Sequence, residues 1–387
     1  MRRQLGKTYG HFFERRFLPR HGITFANKVR LLSNGGQAYP AMLDAVATAT
    51  SHVDVCMYIF RDDRIGMLFA EALAERARHG CQVRVAYDAV GCADAGERQF
   101  ALMRQAGVKL HCVNPLMPNR ITRFWRAISR EHRKIITVDG RVGFIGGINI
   151  GDEYDGDGMD ETRFRDFVVE MRGPAADYLH RLMDRTFRNS WGPAPHMKHP
   201  AARYEPTMVW FQSPRPLSPR RTIVNTYINL IRNATRYVWI ANAYFLPNHR
   251  VVNAMIRAVR RGVDVRLLLP EKSDIPIVRL ASQLWYHHLL RHGIKIFERR
   301  SAILHAKAAV ADDAVAIMGS ANLDARGFYL NREVIATIYD EPFACSLRDE
   351  LVLDFQHSHP IEMRHVEKYT FIERIKQHLA YAISPLL

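Results

Sequence analysis

One polar pattern occurs twice, at a fixed distance, in this 387-residue chain, and it constrains the fold more than any other feature. The stretches "EHRKIITVDGRVGFIGGINIG" (131–151) and "LHAKAAVADDAVAIMGSANLD" (304–324) both read His-x-Lys-x-x-x-x-Asp, then six residues, then Gly. His132 and His305, Lys134 and Lys307, Asp139 and Asp312, Gly146 and Gly319, and Asn149 and Asn322 are each 173 positions apart. The apolar residues around them differ, so the shared polar register is not a by-product of strand composition. A chain that writes one motif twice is expected to fold as two similar units.

The segments before each motif bear this out in order and kind. "TSHVDVCMYIF", "CQVRVAYDAV" and "VKLHCV" read as strands separated by the helical stretches "IGMLFAEALAERARHG" and "RQFALMRQAG". The second half repeats the order as "ATRYVWIANAYF", "VVNAMIRAVRRG", "VDVRLLLP", "VRLASQLWYHHLLRHG" and "IKIFERR". Gly80, Gly107, Gly262 and Gly293 stand where helices should stop before the next strand. Alternating strands and amphipathic helices imply an α/β fold, with a mainly parallel or mixed sheet in each half. The expected organisation is a basic N-terminal segment (1–30), a first domain (31–190), a linker (191–206), a second domain (207–362) and a C-terminal amphipathic helix (363–387).

Net charge narrows the partners. With 55 Lys and Arg against 39 Asp and Glu the chain carries +16, a surface that attracts nucleic acid or anionic lipid. No apolar run approaches the roughly 18 residues needed to span a bilayer, and the N-terminus lacks a signal-peptide core. Cys56, Cys81, Cys92, Cys112 and Cys345 show no metal-ligand spacing and are expected to be reduced structural thiols. The acidic stretch "GDEYDGDGMDETRF" (151–164) lacks the features of a calcium loop and reads as an insertion beside the first motif, so no metal is expected.

Two histidines, two lysines and two Gly-x-x-Asn turns make chemical sense if both halves face one cleft holding a phosphodiester. Lys134, Lys307, Asn149, Asn322 and the Ser320 hydroxyl could then neutralise its non-bridging oxygens. One neutral imidazole attacks phosphorus while the other, protonated, gives its proton to the leaving alkoxide. Asp139 and Asp312 complete the catalytic motif, and Asp312 also reads as the turn that closes its strand. Asp166 and Glu333 each begin an apolar strand that can return beside a motif strand, which makes them candidate orienters of the imidazoles.

The repeated motif resembles that of the phospholipase D superfamily, and the resemblance covers nearly the whole chain. Within it the sequence is similar to the short bacterial cardiolipin synthases without transmembrane helices, in "NKVRLLSNGGQAYPAMLDAVATAT", "HRKIITVDGRVGFIGGINIGDEY", "RDFVVEMRGPAA" and "GSANLDARGFYLNREV". That resemblance implies two tandem phospholipase D-like αβα-sandwich domains related by a pseudo-two-fold, with the active site at their interface. It further implies phosphatidyl transfer through a phosphohistidine, with two phosphatidylglycerols giving cardiolipin and glycerol and with no metal or nucleotide cofactor. By family analogy His132 is the nucleophile and His305 the acid. Gly147 departs from the pattern where the second motif has Ser320, which removes one hydroxyl donor from that half.

A lipid substrate requires interfacial segments. "EKYTFIERIKQHLAYAISPLL" places Phe371, Ile375, Leu379 and Ile383 at steps of four, as an interfacial helix or a helix packed on the body would. The stretch 115–134 and the N-terminal "YGHFFERRFLPR" mix aromatic and basic residues in a way that suits lipid headgroups or single-stranded nucleic acid. The expected partner is an anionic phosphatidylglycerol bilayer at the cytoplasmic side of the inner membrane, with no obligatory nucleic acid or protein partner. A phospholipase D hydrolase and a nuclease would use the same histidine pair, and a phosphate-binding protein without turnover would keep the basic surface.

Overall fold

The computed structural model describes residues 22–115, 129–191, 206–216, 218 and 222–383. The aromatic and basic stretch before the first motif lies mostly outside the described residues, as do the N-terminal 21 residues and most of the expected linker.

The first half contributes strands β1 (Ile23–Ser33), β2 (His52–Met57), β3 (Gln82–Asp88), β4 (Lys109–Val113), β5 (Ile135–Val138), β6 (Val142–Gly146), β7 (Phe164–Arg165) and β8 (Phe167–Arg172). The second contributes β9 (Thr207–Gln212), β10 (Tyr237–Asn242), β11 (Asp264–Pro270), β12 (Lys295–Arg299), β13 (Ile303–Leu304), β14 (Lys307–Ala311), β15 (Val315–Gly319), β16 (Ile335–Tyr339) and β17 (Ser358–Ile361). Apolar β-branched runs form the strands because they are buried on both faces. All six residues of β2 and all five of β14 are buried. The four helix-stopping glycines have φ between +81° and +88°, a conformation that permits the chain to leave each helix directly into a strand.

Fifteen strands form one sheet in the order β17-β12-β11-β10-β14-β15-β16-β9-β1-β8-β6-β5-β2-β3-β4. Read outward from the β9–β1 seam, the two halves repeat the same order. The sheet is mixed. The strand–helix–strand units pair in parallel, as β2–β3–β4 and β10–β11–β12, because a helix carries the chain back between strands. Each motif forms an antiparallel hairpin instead, β5–β6 and β14–β15, since the turn at its Asp is too short for a crossover.

The two halves share one continuous sheet. β1 pairs antiparallel with β9 at Ile23↔Trp210, Thr24↔Val209 and Asn27↔Thr207. Helices Pro174–Trp191 and Glu341–Gln356 cover an apolar cluster that runs from Val169 and Leu179 across the seam to Val310 and Leu347. Other helices cover a separate cluster in each half, around Phe69 in the first and Tyr227 in the second, and a small fourth cluster joins Val278 and Ala281 to Ala380. The boundary drawn at residue 30 therefore falls inside β1, whose alternating "ITFANKVRLLS" is a central strand and not part of a basic arm.

The single helix expected over 278–293 is two, Pro276–Gln283 and Tyr286–Arg291. The backbone N–H groups of Leu284 and Trp285 bond three residues back, to Ala281 and Ser282 at 3.3 and 3.1 Å. That tighter turn brings the bulky Trp285 and Tyr286 onto the core.

Candidate active site

Each motif strand begins beside a segment of the other half. The His132 N–H donates to the Arg332 carbonyl at 3.1 Å, and the His305 N–H donates to the Arg165 carbonyl at 2.8 Å. β7 and β13 pair in parallel at Ile303↔Phe164 and Leu304↔Arg165, and Glu131 bridges Arg332 in the same sense. The next residue along each foreign segment is a carboxylate, Glu333 or Asp166.

The orienting pairs are therefore crossed. His132 Nδ1 lies 2.9 Å from Glu333 Oε1, and His305 Nδ1 lies 2.6 Å from Asp166 Oδ2. All four side chains are buried, His132 being 9% exposed and Glu333 not at all. With Nδ1–H donated to a carboxylate, each imidazole keeps Nε2 for chemistry. Burial pushes the His132 pKa well below the usual imidazole range, and Lys134 and Lys307 push it further the same way. Burial also lowers His305, and Lys307 adds to this, but the hydrogen bond and charge of Asp166 work to restore its proton. The two imidazoles are thus unequal, with His132 the more firmly neutral.

His132, His305, Asn149 and Asn322 line one cavity, with Tyr58, Tyr154 and Tyr244 among its other walls. Lys134 and Lys307 are buried beneath it, each donating to the carbonyl of the histidine two residues before, Lys134 at 2.8 Å. One donor used that way leaves two per ammonium for a ligand oxygen. Burial brings the Lys134 pKa down to about 7. Lys307 also sits 2.9 Å from His305 Nδ1, but that nitrogen serves the closer Asp166 carboxylate.

Three of the expected site residues do other work. The Ser320 hydroxyl is engaged within the protein, where it donates to Glu333 Oε2 and accepts from the Val334 N–H at 3.1 Å. Asp139 and Asp312 are not catalytic by position. Five residues of extended strand put each about 16 Å from its motif lysine. The Asp139 carboxylate accepts from Thr50 N and Oγ1, Ser51 N and Oγ, and His52 N at 2.8–2.9 Å. Burial tends to raise its pKa, yet these donors hold it down at about 2. Asp312 takes Thr235, Arg236 and Tyr237 in the same way. Both residues have left-handed φ, 51° and 56°, and tie the hairpin turn to the start of the neighbouring strand. Asn149 is also partly engaged, accepting from Ile59 N at 3.1 Å and donating to Tyr154 Oη at 2.6 Å.

The acidic stretch lies at the site and its carboxylates are committed. Asp152 accepts from Ile65 N at 2.9 Å, Glu153 from Arg61 at 3.1 Å and Asp155 from Arg64 at 2.5 Å. Elsewhere, among the described residues, His52, Asp54 and His180 come together closely enough to suggest metal ligands. Arg84 already binds both Asp54 oxygens there, at 2.7 and 2.9 Å, so a guanidinium holds the place a cation would take. The cavity residues that sequence reasoning missed include Tyr58, Tyr154, Tyr244, Asp274, Asp324 and Arg326. Asp324 alone carried a signal, standing two places after Asn322 where the first motif has Gly151.

The family described as "Cardiolipin synthase, PLD-like domain" matches residues 42–159 and 227–354. A cardiolipin synthase of Geobacillus thermodenitrificans is 34% identical over 376 residues, covering 96% of this chain and 74% of the relative. Cardiolipin synthase A of Pseudomonas aeruginosa is 35% identical over 371 residues, covering 93% and 74%. Among solved structures, phosphatidylserine synthase of Haemophilus influenzae superposes with a TM-score of 0.70 at 13% identity, covering 98% of this chain and 97% of its own. That likeness concerns the fold.

Proposed function

The chain belongs to the cardiolipin synthase family of phospholipase D-like proteins, and on that premise we propose that it moves a phosphatidyl group from one phosphatidylglycerol to another, releasing glycerol. The observation that carries the mechanism is the pair of crossed imidazole–carboxylate contacts opening on one cavity. His132 Nε2 attacks phosphorus, the P–O bond to glycerol breaks, and His305 Nε2–H protonates the departing oxygen. The hydroxyl of a second phosphatidylglycerol then attacks the phosphohistidine, returns its proton to His305, and frees His132 as a neutral imidazole. The ammonium groups of Lys134 and Lys307 and the Asn149 and Asn322 amides stabilise the charge that builds on the non-bridging oxygens. His132 suits the nucleophile because burial keeps it neutral, and His305 suits the acid because Asp166 supports its proton.

The same reading places the protein on the cytoplasmic face of the inner membrane, bound peripherally to anionic lipid. No helix among the described residues is long and apolar enough to cross a membrane. The helix Phe371–Ile383 supports surface binding, because it rests on the body through Gln377, Ala380 and Tyr381 and turns Phe371, Ile372, Ile375, Leu379 and Ile383 outward. Arg374, Lys376 and His378 flank that apolar stripe and match an anionic headgroup layer.

Purified protein incubated with phosphatidylglycerol vesicles should yield cardiolipin and glycerol in equal amounts by mass spectrometry. His132→Ala and His305→Ala should each lower turnover by roughly three orders of magnitude or more. Phosphatidic acid as the only product would make the enzyme a hydrolase, and nicking of DNA without lipid turnover would refute the reading.

A further inference from the structure

The cavity carries acidic groups on one side, which a site for phosphodiester anions does not itself require. Asp324 is 9% exposed and stands at the motif position that Gly151 holds in the first half, so only the His305 side has this carboxylate. Asp274 lines the same side, where its Oδ2 accepts from Tyr244 Oη at 2.5 Å. Asn322, 5% exposed and lining the same cavity, has a side-chain oxygen with no hydrogen-bond donor. The first half contributes Tyr58, Ile59, Arg130, His132, Asn149 and Tyr154 to the lining, none of them a carboxylate.

Carboxylates and an amide oxygen repel phosphate oxygens and accept from hydrogen-bond donors. A vicinal diol is such a donor set, and carboxylates bind sugar hydroxyls in this manner elsewhere. An ammonium group would be the competing ligand, but Arg326 and Lys307 act on Asp324 and offset its charge. Asp324 Oδ1 accepts from the Gly327 N–H at 2.6 Å, which leaves further lone pairs of the carboxylate for hydroxyls. Burial pushes the Asp324 pKa up to about 6, against the opposing pull of the Gly327 N–H and those two cations.

We propose that Asn322, Asp324 and the Asp274–Tyr244 pair form a polyol subsite beside His305 that holds the glycerol headgroup of phosphatidylglycerol. The inference rests on the transferase reading and specifies its headgroup side. The subsite first holds the glycerol that leaves with the proton from His305. After that glycerol departs, it holds the headgroup of the acceptor lipid and presents one hydroxyl to the same imidazole, which takes the proton as oxygen bonds to phosphorus and the P–N bond breaks. Leaving and attacking hydroxyls thus share one place, and the reaction is ping-pong with glycerol released between steps.

The test uses the full chain in phosphatidylglycerol vesicles with free labelled glycerol, following exchange of label into lipid, cardiolipin, and phosphatidic acid. A second donor with a p-nitrophenyl leaving group, which needs no proton, reports phosphohistidine formation alone in its pre-steady-state burst. Wild-type protein that makes no cardiolipin and exchanges no glycerol would refute the transferase reading itself. If the wild type is active, Asp324→Asn should raise the apparent KM for glycerol at least about tenfold more than it slows the activated donor, the scale expected for hydrogen bonds to a charged group. Products should shift toward phosphatidic acid. Asp274→Asn leaves the Gly327 N–H bond to Asp324 untouched, so it gives the same readout if Asp324→Asn does not fold. Unchanged glycerol KM and product ratio in both variants, or equal losses with both donors, would overturn the subsite. Stronger loss of exchange with ethanolamine than with glycerol would overturn its polyol character.

Discussion

Gly147 and Ser320 hold the same place in the two motifs and treat the neighbouring carboxylate in opposite ways. Ser320 reaches Glu333 with its hydroxyl. Gly147 makes room, since a Cβ there would lie 2.2 Å from Asp166 Oδ2. Aspartate is one methylene shorter than glutamate, and its other oxygen is satisfied by the Phe167 N–H at 2.7 Å, so it needs no hydroxyl partner. The missing hydroxyl noticed in the sequence is thus the clearance that lets the shorter acid stand against His305. Gly147→Ser, which would make the motifs alike, should push Asp166 off His305 and slow transfer by about 10–100-fold, the usual effect of losing an orienting partner. Steady-state rates paired with a thermal melt check this, with the Tm expected to move far less than the rate. At this scale the sequence showed which residues matter but not which atoms meet. The spacing marked Asp139 and Asp312 as part of the motif, yet strand length alone places them too far from the lysines to share chemistry with them.

Strands and helices were legible because buried β-branched runs and glycine-stopped amphipathic stretches leave strong local signals. What local patterning left open was the face each element turns inward. The helix Phe371–Ile383 has the periodicity of an ordinary packed helix, but it docks through Gln377, Ala380 and the half-buried Tyr381 and exposes Phe371 at 78% and Leu379 at 63%. An apolar stripe of that kind facing away from the body marks a contact surface. The combined variant Phe371→Ser, Ile375→Ser and Leu379→Ser should therefore weaken sedimentation with phosphatidylglycerol vesicles strongly. It should slow vesicle turnover by at least about tenfold and leave the melting temperature almost unchanged, because little core area is lost. A soluble diester substrate separates the two effects: equal losses on vesicles and on that substrate would mean the stripe serves folding instead.

At the scale of the molecule the repeat of 173 positions announced two similar halves and one shared cleft, but a linear repeat cannot say whether an imidazole is served by its own half or by the other. The structure crosses them. Asp166, in the first half, supports the proton on His305 in the second. Asp166→Asn removes the negative charge that holds the His305 pKa up, so the alkaline limb of the kcat/KM profile should move toward lower pH by about one to two units. Glu333→Gln, beside His132, should lower the rate without moving that limb, and equal displacement in both variants would contradict the crossed arrangement. The seam behind the site has a further consequence. β1 and β9 are joined by ladder hydrogen bonds, by the Asn27 amide on the Thr207 carbonyl at 3.0 Å, and by an apolar layer common to both halves. The described residues of the two halves thus form one plate, and swinging one half against the other would break this ladder and open the shared apolar layer. What fits the mouth is then set by the side chains that line it, Tyr58, Tyr154 and Tyr244 among them.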